Sequence, residues 1–386
     1  MDGPPETKAI NHAKTFFGGF PDEIKFEGLE ATGWRTVTMR LKVWRTPRIF
    51  NRYMIKMAFN EAPSYEYSLA HDIETLQTLQ NAVHVVNLEA VSDSQSPDPE
   101  PTSFKPLLNP FQGAGLKYEH YLIEHMPNGS LARFIERVSA NKAIDRFSNR
   151  FIISIFLCAA RACAAMAWTP ERKLDAFGYQ VPEQAQNRDP LPLVHGANRP
   201  SHWLFGRIDG FWREHDRIPI MKLAGFDEAY KYNGIEPKFS DAPKFDREAE
   251  IVMNCYSPDF PRSGTSNPAT RMNVLNVGTL MANIILEDDG LLSVDQAREQ
   301  LGPKDQWSKN TDPGYDPELL SLIAMCIAVD PNNRPTIAEL LDTLNEWIWT
   351  KDLPYYRNMN LPYYQRETNE YLQRLVQTYM FNGEEA

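Results

Sequence analysis

The sequence predicts an α+β fold in which strands come first and helices dominate later. Three observations carry this. From Lys25 to Val43 the chain alternates in polarity and is rich in β-branched residues, as in Thr36-Val37-Thr38-Met39-Arg40-Leu41-Lys42-Val43; that pattern reads as paired strands. Phe151 to Trp168 is an almost unbroken apolar run, the signature of a helix buried on nearly all sides. Thr336 and Glu339 form a capping box ahead of Leu340, Leu341, Leu344 and Ile348, which recur at helical spacing.

Composition sets the outer bounds. The chain has 386 residues, 42% of them hydrophobic and 24% charged, enough for a packed core. A formal net charge of −11 argues against general affinity for nucleic acid or an anionic membrane. The apolar run 151–168 is only just long enough to cross hydrocarbon and carries Arg161, so a core helix is expected and no membrane span. Cys158, Cys163, Cys255 and Cys326 show neither a C-x-x-C pair nor a His/Cys metal spacing. Free thiols in a reducing compartment follow. The first residues lack an apolar signal core, and a cytoplasmic or nuclear location is expected.

In order along the chain, residues 1–20 read as a lead-in containing Pro4, Pro5, Gly18 and Gly19. Gly28 and Gly33 lie near a strand turn. Arg52 to Ala58 reads as a further strand containing Lys56. Ile73, Leu76 and Leu79 then mark a helix. Residues 92–115 are polar, acidic and proline-rich at their start, and are expected to be a mobile surface insertion. A second polar insertion, 169–192, contains Pro170, Pro182, Pro190 and Pro192. Near the end, Leu372, Leu375, Val376, Tyr379 and Met380 predict an amphipathic helix over 367–381, which packs on its own chain or docks on another protein.

Several of these stretches resemble, in family order, the signatures of the eukaryotic protein kinase superfamily. Val194-His195-Gly196-Ala197-Asn198-Arg199-Pro200-Ser201-His202-Trp203-Leu204 resembles the catalytic loop, and Ala224-Gly225-Phe226-Asp227 stands where D-F-G is expected. Tyr53-Met54-Ile55-Lys56 resembles the strand whose lysine meets nucleotide phosphates. Tyr121-Leu122-Ile123-Glu124-His125-Met126-Pro127-Asn128-Gly129-Ser130-Leu131 resembles the hinge, and Asn273 to Gly278 resembles D-V-W-S-L-G. The wording around hinge and apolar helix is similar to that of fungal kinase-like proteins. The resemblance spans roughly 25–350 and implies a bilobal fold. The β-rich N-lobe would run over 21–123, the hinge and helical C-lobe over 124–350, and a tail over 351–386.

The same resemblance implies that the chemistry is lost. The base Asp falls on Ala197, the metal-binding Asn on His202, the metal-binding Asp on Gly225 and the loop Lys on Arg199. A methyl group accepts no proton, glycine offers no ligand, and an imidazole suits Mg²⁺ poorly. No metal site is therefore expected, and metal capture by Asp227 would require a rearranged backbone. Lys56, Asp72 (one methylene shorter than the usual Glu), Ile123, Glu124 and Met126 stand at nucleotide-binding positions, without a G-x-G-x-x-G loop. Weak, metal-independent ATP binding is the expectation. His195 and Phe226 are expected to be structural, and Asp259 to pair with Arg334. The implied function is a pseudokinase serving as a scaffold or binding module for other proteins. A weak kinase and an interaction module with a collapsed pocket are the alternatives.

Overall fold

The computed structural model describes residues 4–20, 22–33, 35–59, 69–91, 118–140, 147–171, 173–176, 178–197, 199–232, 267–286, 294–301, 315–359 and 363–381. The first insertion, 92–115, and the stretch containing Asp259 lie outside them. The chain is mixed α+β and divides into two compact units. One comprises Met1–Gln80, Val86–Met126 and Phe226–Ala229; the other comprises Asn81–Val85, Pro127–Gly225 and Tyr230–Ala386.

The first unit is built on a five-stranded antiparallel sheet. Its strands are β1 (Ile24–Thr32), β2 (Thr36–Thr46), β3 (Ile49–Ala58), β4 (Leu88–Val91) and β5 (His120–Glu124). Their order is β1-β2-β3-β5-β4. The alternation read in β2 is the alternation observed: Val37, Met39, Leu41 and Val43 are buried, with half-buried polar neighbours between them. Gly28 lies within β1, opposite Arg40, and the strand register shifts around it. Around this bulge Arg40 pairs with Glu27 and Glu30, and Arg52 with Glu27. Helix α2 (Leu69–Thr78) carries the apolar spacing expected of it, with Ile73 and Leu76 buried.

One correction concerns the N-terminus. Residues 1–20 are not a featureless lead-in, because Pro5–Gly18 forms helix α1. Proline is tolerated in a first helical turn, where its missing N–H costs nothing. Ala9, Ala13 and Phe17 recur every fourth residue and join the same buried core as Val37, Met39 and Leu41. The two alanines let the helix approach the sheet closely, and Phe17 fills the remaining volume.

The second unit is mainly helical. It contains α3 (Leu131–Ala140), α4 (Asn149–Ala167), α5 (Pro268–Ile285), α6 (Val294–Leu301), α7 (Pro317–Cys326), α8 (Ile337–Thr350), α9 (Leu353–Asn358) and α10 (Asn369–Val376). Short strands β6 (Leu193–Val194) and β9 (Tyr230–Lys231) pair, as do β7 (Trp203–Phe205) and β8 (Met221–Leu223). Helix α4 is long and apolar enough to span a bilayer, yet 94% of it is buried inside the protein. Its charge is answered internally: Arg161 pairs with Glu214 and donates to Asn345 Oδ1 at 3.1 Å. Gly278 explains how α5 approaches the end of α7, since a Cβ there would sit 2.5 Å from Cys326 Cβ. The capping box at Thr336 and Glu339 is present as read.

The tail forms the expected amphipathic segment as α10 followed by a π-helical turn, Gln377–Phe381. Leu372, Leu375, Val376, Tyr379 and Met380 are all buried. Arg137 Nη1 on α3 donates to the Tyr379 carbonyl at 3.0 Å. Glu367 accepts from Ser148 Oγ and from the backbone N–H groups of Asn149 and Arg150, at 2.8–3.0 Å. It thereby satisfies orphan donors at the start of α4. The apolar face of 367–381 is thus committed to its own unit, so a partner docking through this segment would meet its polar face.

Candidate functional site

In the first unit the focus is Lys56. It projects from β3, and its Nζ lies 2.7 Å from Asp72 Oδ2 on α2. The shorter acid reaches Lys56 directly, with no bridging water. Asp72 is fully buried and has every reason to be held in place. Its Oδ2 also accepts from the Tyr121 hydroxyl on β5, and its Oδ1 accepts from Phe226 N at 2.9 Å. Tyr121 follows from the strand register, which pairs it directly with Lys56. Burial pushes its phenol well above the usual range.

Asp227 is the unexpected member. Its Oδ1 sits 3.0 Å from Lys56 Nζ, so the ammonium is gripped by two carboxylates. The segment Phe226–Ala229 is tied to α2 by the Phe226 N–H on Asp72 and by His71 Nε2 against the Ala229 carbonyl at 2.6 Å. Phe226 is fully buried. Burial alone disfavours the Lys56 charge, but Asp227 and Asp72 outweigh it and hold the amine well above its ordinary range. Ile123 and Met126 are buried. Glu124 is partly buried, and its Oε1 accepts from Asn87 N at 2.7 Å.

In the second unit a loop brings together His195, Ala197 and His202. His195 is buried, and its Nε2 lies 3.0 Å from the Ala224 carbonyl. Asn273 on α5 fixes the base of the loop: its Oδ1 accepts from His195 N at 3.3 Å, and its Nδ2 donates to the Leu193 carbonyl at 2.9 Å. Ala197 is buried and presents only a methyl group. His202 Nδ1 lies 2.6 Å from the Ala197 carbonyl, so Nδ1 carries the proton and donates it there. The Arg199 carbonyl accepts from His202 N at 2.9 Å, closing a tight turn.

Gly225 and His202 are sterically coupled. Gly225 has φ +74°, a left-handed conformation that favours glycine. A Cβ at this position would lie 3.0 Å from His202 Cδ2 and 3.2 Å from both Cγ and Nε2. The imidazole therefore fills the space that a side chain at 225 would enter. Arg334 is buried, and its guanidinium donates to the Ala328 and Arg271 carbonyls at 2.9 and 3.2 Å.

Three residues of this arrangement were not legible as site residues. Asn273 sits in a stretch noted for resemblance alone, while Tyr121 and Asp227 acquire their roles only through pairing across the sheet and the course of the chain after Gly225. Neither a scan against protein-family models nor a search of curated proteins finds a match for this chain.

Proposed function

We propose that this chain is a catalytically impaired, protein-kinase-like protein that works as a binding or scaffold module for other proteins. The observation that carries the reading is the loop 195–202. Where a phosphotransferase needs a carboxylate base, Ala197 offers a buried methyl group. Where it needs an oxygen ligand for Mg²⁺, His202 offers a ring already hydrogen-bonded to its own loop. Loss of a general base alone costs about 10²–10⁴-fold in rate. Loss of metal ligands removes the charge neutralisation on which phosphoryl transfer depends.

The bilobal kinase-like arrangement is part of this proposal. It is supported by the antiparallel sheet bearing an Asp-paired Lys56 in one unit, and by the His195 loop anchored to Asn273 in the other. Nucleotide phosphates approaching Lys56 must compete with two carboxylates already within 3.0 Å. ATP binding is accordingly weak, with a Kd of about 0.1 mM or higher, near −5.5 kcal/mol. The test is a phosphotransfer assay on the full chain with Mg²⁺ and with Mn²⁺, beside calorimetric titration with ATP. No transfer above background and no Mg²⁺-dependent tightening are expected. Robust turnover abolished by Lys56→Ala overturns the reading.

A second reading has one specific observation in its favour. Asp227 places a partly exposed carboxylate beside Lys56, as if the acid of D-F-G had moved two residues along to give Gly225-Phe226-Asp227. If that carboxylate holds a divalent ion, the chain is a weak ATP-dependent enzyme. Micromolar, Mg²⁺-dependent ATP affinity that is lost in Asp227→Asn would establish this reading instead.

A further inference from the structure

We propose that His84, Cys158 and His215 form a buried zinc site that staples the second unit together. The three come from separate parts of the chain. His84 lies in the segment 81–85, Cys158 in the middle of α4, and His215 in a single 3₁₀ turn, Arg213–His215. All three are buried, and their ligand atoms lie within 4.8 Å of one another. His84 Nε2 and His215 Nε2 are 3.4 Å apart, and Cys158 Sγ is 4.0 Å from His215 Nε2. Zn–N bonds of about 2.0–2.1 Å in tetrahedral geometry require ligand nitrogens about 3.4 Å apart, and a Zn–S bond of about 2.3 Å places sulfur about 3.6 Å from each nitrogen. The nitrogens already stand at that separation, and Cys158 needs a small side-chain adjustment.

The surroundings support the same ion. Glu183 is buried, and its Oε2 lies 2.6 Å from His84 Nδ1, while its Oε1 accepts from His84 N at 2.9 Å. A carboxylate on the far nitrogen fixes the tautomer, so Nδ1 carries the proton and Nε2 turns a lone pair toward His215. This is the outer-shell arrangement that orients zinc-bound imidazoles. Without an ion, one of the two facing Nε2 atoms must carry a proton. That proton falls to His215, whose Nδ1 is then a bare acceptor facing the Ile218 backbone outside good hydrogen-bond geometry. With an ion, both Nε2 lone pairs point at the metal and the His215 proton moves to Nδ1, toward Ile218.

The charges balance as well. Metal binding expels the Cys158 thiol proton to solvent. The thiolate and the Glu183 carboxylate then neutralise a divalent ion, while Arg161 and Glu214 already neutralise each other. Three protein ligands leave the fourth tetrahedral position to a water molecule.

The test uses the full chain purified without a histidine tag. Elemental analysis is expected to find about one zinc ion per chain, falling to background in Cys158→Ser and in His215→Gln. Replacing zinc by Co²⁺ in the wild-type chain is expected to give an intense tetrahedral visible spectrum and a thiolate-to-cobalt charge-transfer band in the near ultraviolet. That measurement needs no variant to fold. Chelation is expected to lower the melting temperature of the wild type. Wild-type protein refolded with zinc that binds none, cobalt protein without the thiolate band, or zinc retained in full by both variants each overturns the proposal.

Discussion

Lys56 offers the sharpest energetic test. Its side chain is 11% exposed, Asp72 is fully buried, and Asp227 is 28% exposed. These burials predict very different costs for cutting the two ion pairs. Lys56→Met leaves the Asp72 carboxylate in the interior with, among the described residues, the Tyr121 hydroxyl and the Phe226 N–H as its remaining hydrogen-bond donors. Removing one partner of a buried pair costs about 3–5 kcal/mol, because the remaining charge is left uncompensated. Asp227→Ala removes a partner that still sees solvent, and the cost falls to about 1 kcal/mol or less. Adding Asp72→Asn to Lys56→Met removes the stranded charge while keeping an acceptor for Phe226 N–H, and is expected to recover about 2 kcal/mol.

Amide hydrogen exchange read by mass spectrometry isolates this part of the chain. Peptides from β3 and α2 are expected to lose protection by about 10²- to 10⁴-fold in Lys56→Met, since each 1.4 kcal/mol is a factor of ten. The same peptides in Asp227→Ala are expected to lose about 5-fold or less. The reasoning fails if the two single variants lose protection equally, or if Asp72→Asn deepens the loss caused by Lys56→Met.

Other outcomes follow from the same contacts. Lys56 is held above its ordinary value in the folded state, so its contribution is fully present below the unfolded lysine pKa of about 10.4 and disappears as pH rises through the folded value. The denaturation midpoint should therefore fall above about pH 10.4, less steeply in Lys56→Met; Lys351 shares the direction, so the difference between the two proteins is the quantity to read. Gly225→Asp alone should destabilise by about 1–3 kcal/mol, through φ strain and collision with the His202 ring, and His202→Asn should relieve the collision but not the strain, as urea midpoints will show. Glu367→Ala strands the Asn149 and Arg150 N–H groups at the start of α4 and should cost about 2–4 kcal/mol, with early exchange in α10.

What the sequence made legible was local. The capping box at Thr336 and Glu339 closes within one helical turn, so its meaning needs no other part of the chain. The alternation in β2 and the apolar span of α4 are likewise complete within their own segments, because each reports a face that must be buried somewhere. Helix α1 was missed for a related reason. Its buried stripe is Ala9, Ala13 and Phe17, and alanine carries little hydrophobic signal although its small size is what the packing needs. The zinc ligands proposed above are 74 and 57 residues apart in turn, as 84, 158 and 215, so no spacing rule over neighbouring residues reaches them.

Asp227 shows a different limit. Counting positions from Gly225 places it two residues beyond the expected acid, and an ideal backbone would aim it elsewhere. The left-handed turn at Gly225 alters the course of the chain, and the Phe226 N–H then anchors on Asp72. The carboxylate arrives at Lys56 as a consequence. The residues at 197, 202 and 225 are also physically coupled to one another. Glycine at 225 permits the turn, the absence of its side chain makes room for the His202 ring, and that ring donates to the carbonyl of Ala197. Each of the three residues fits the next, so changing one alone works against packing that the others maintain. Any side chain introduced at 225 must therefore displace the His202 ring, and with it the hydrogen bond to the Ala197 carbonyl.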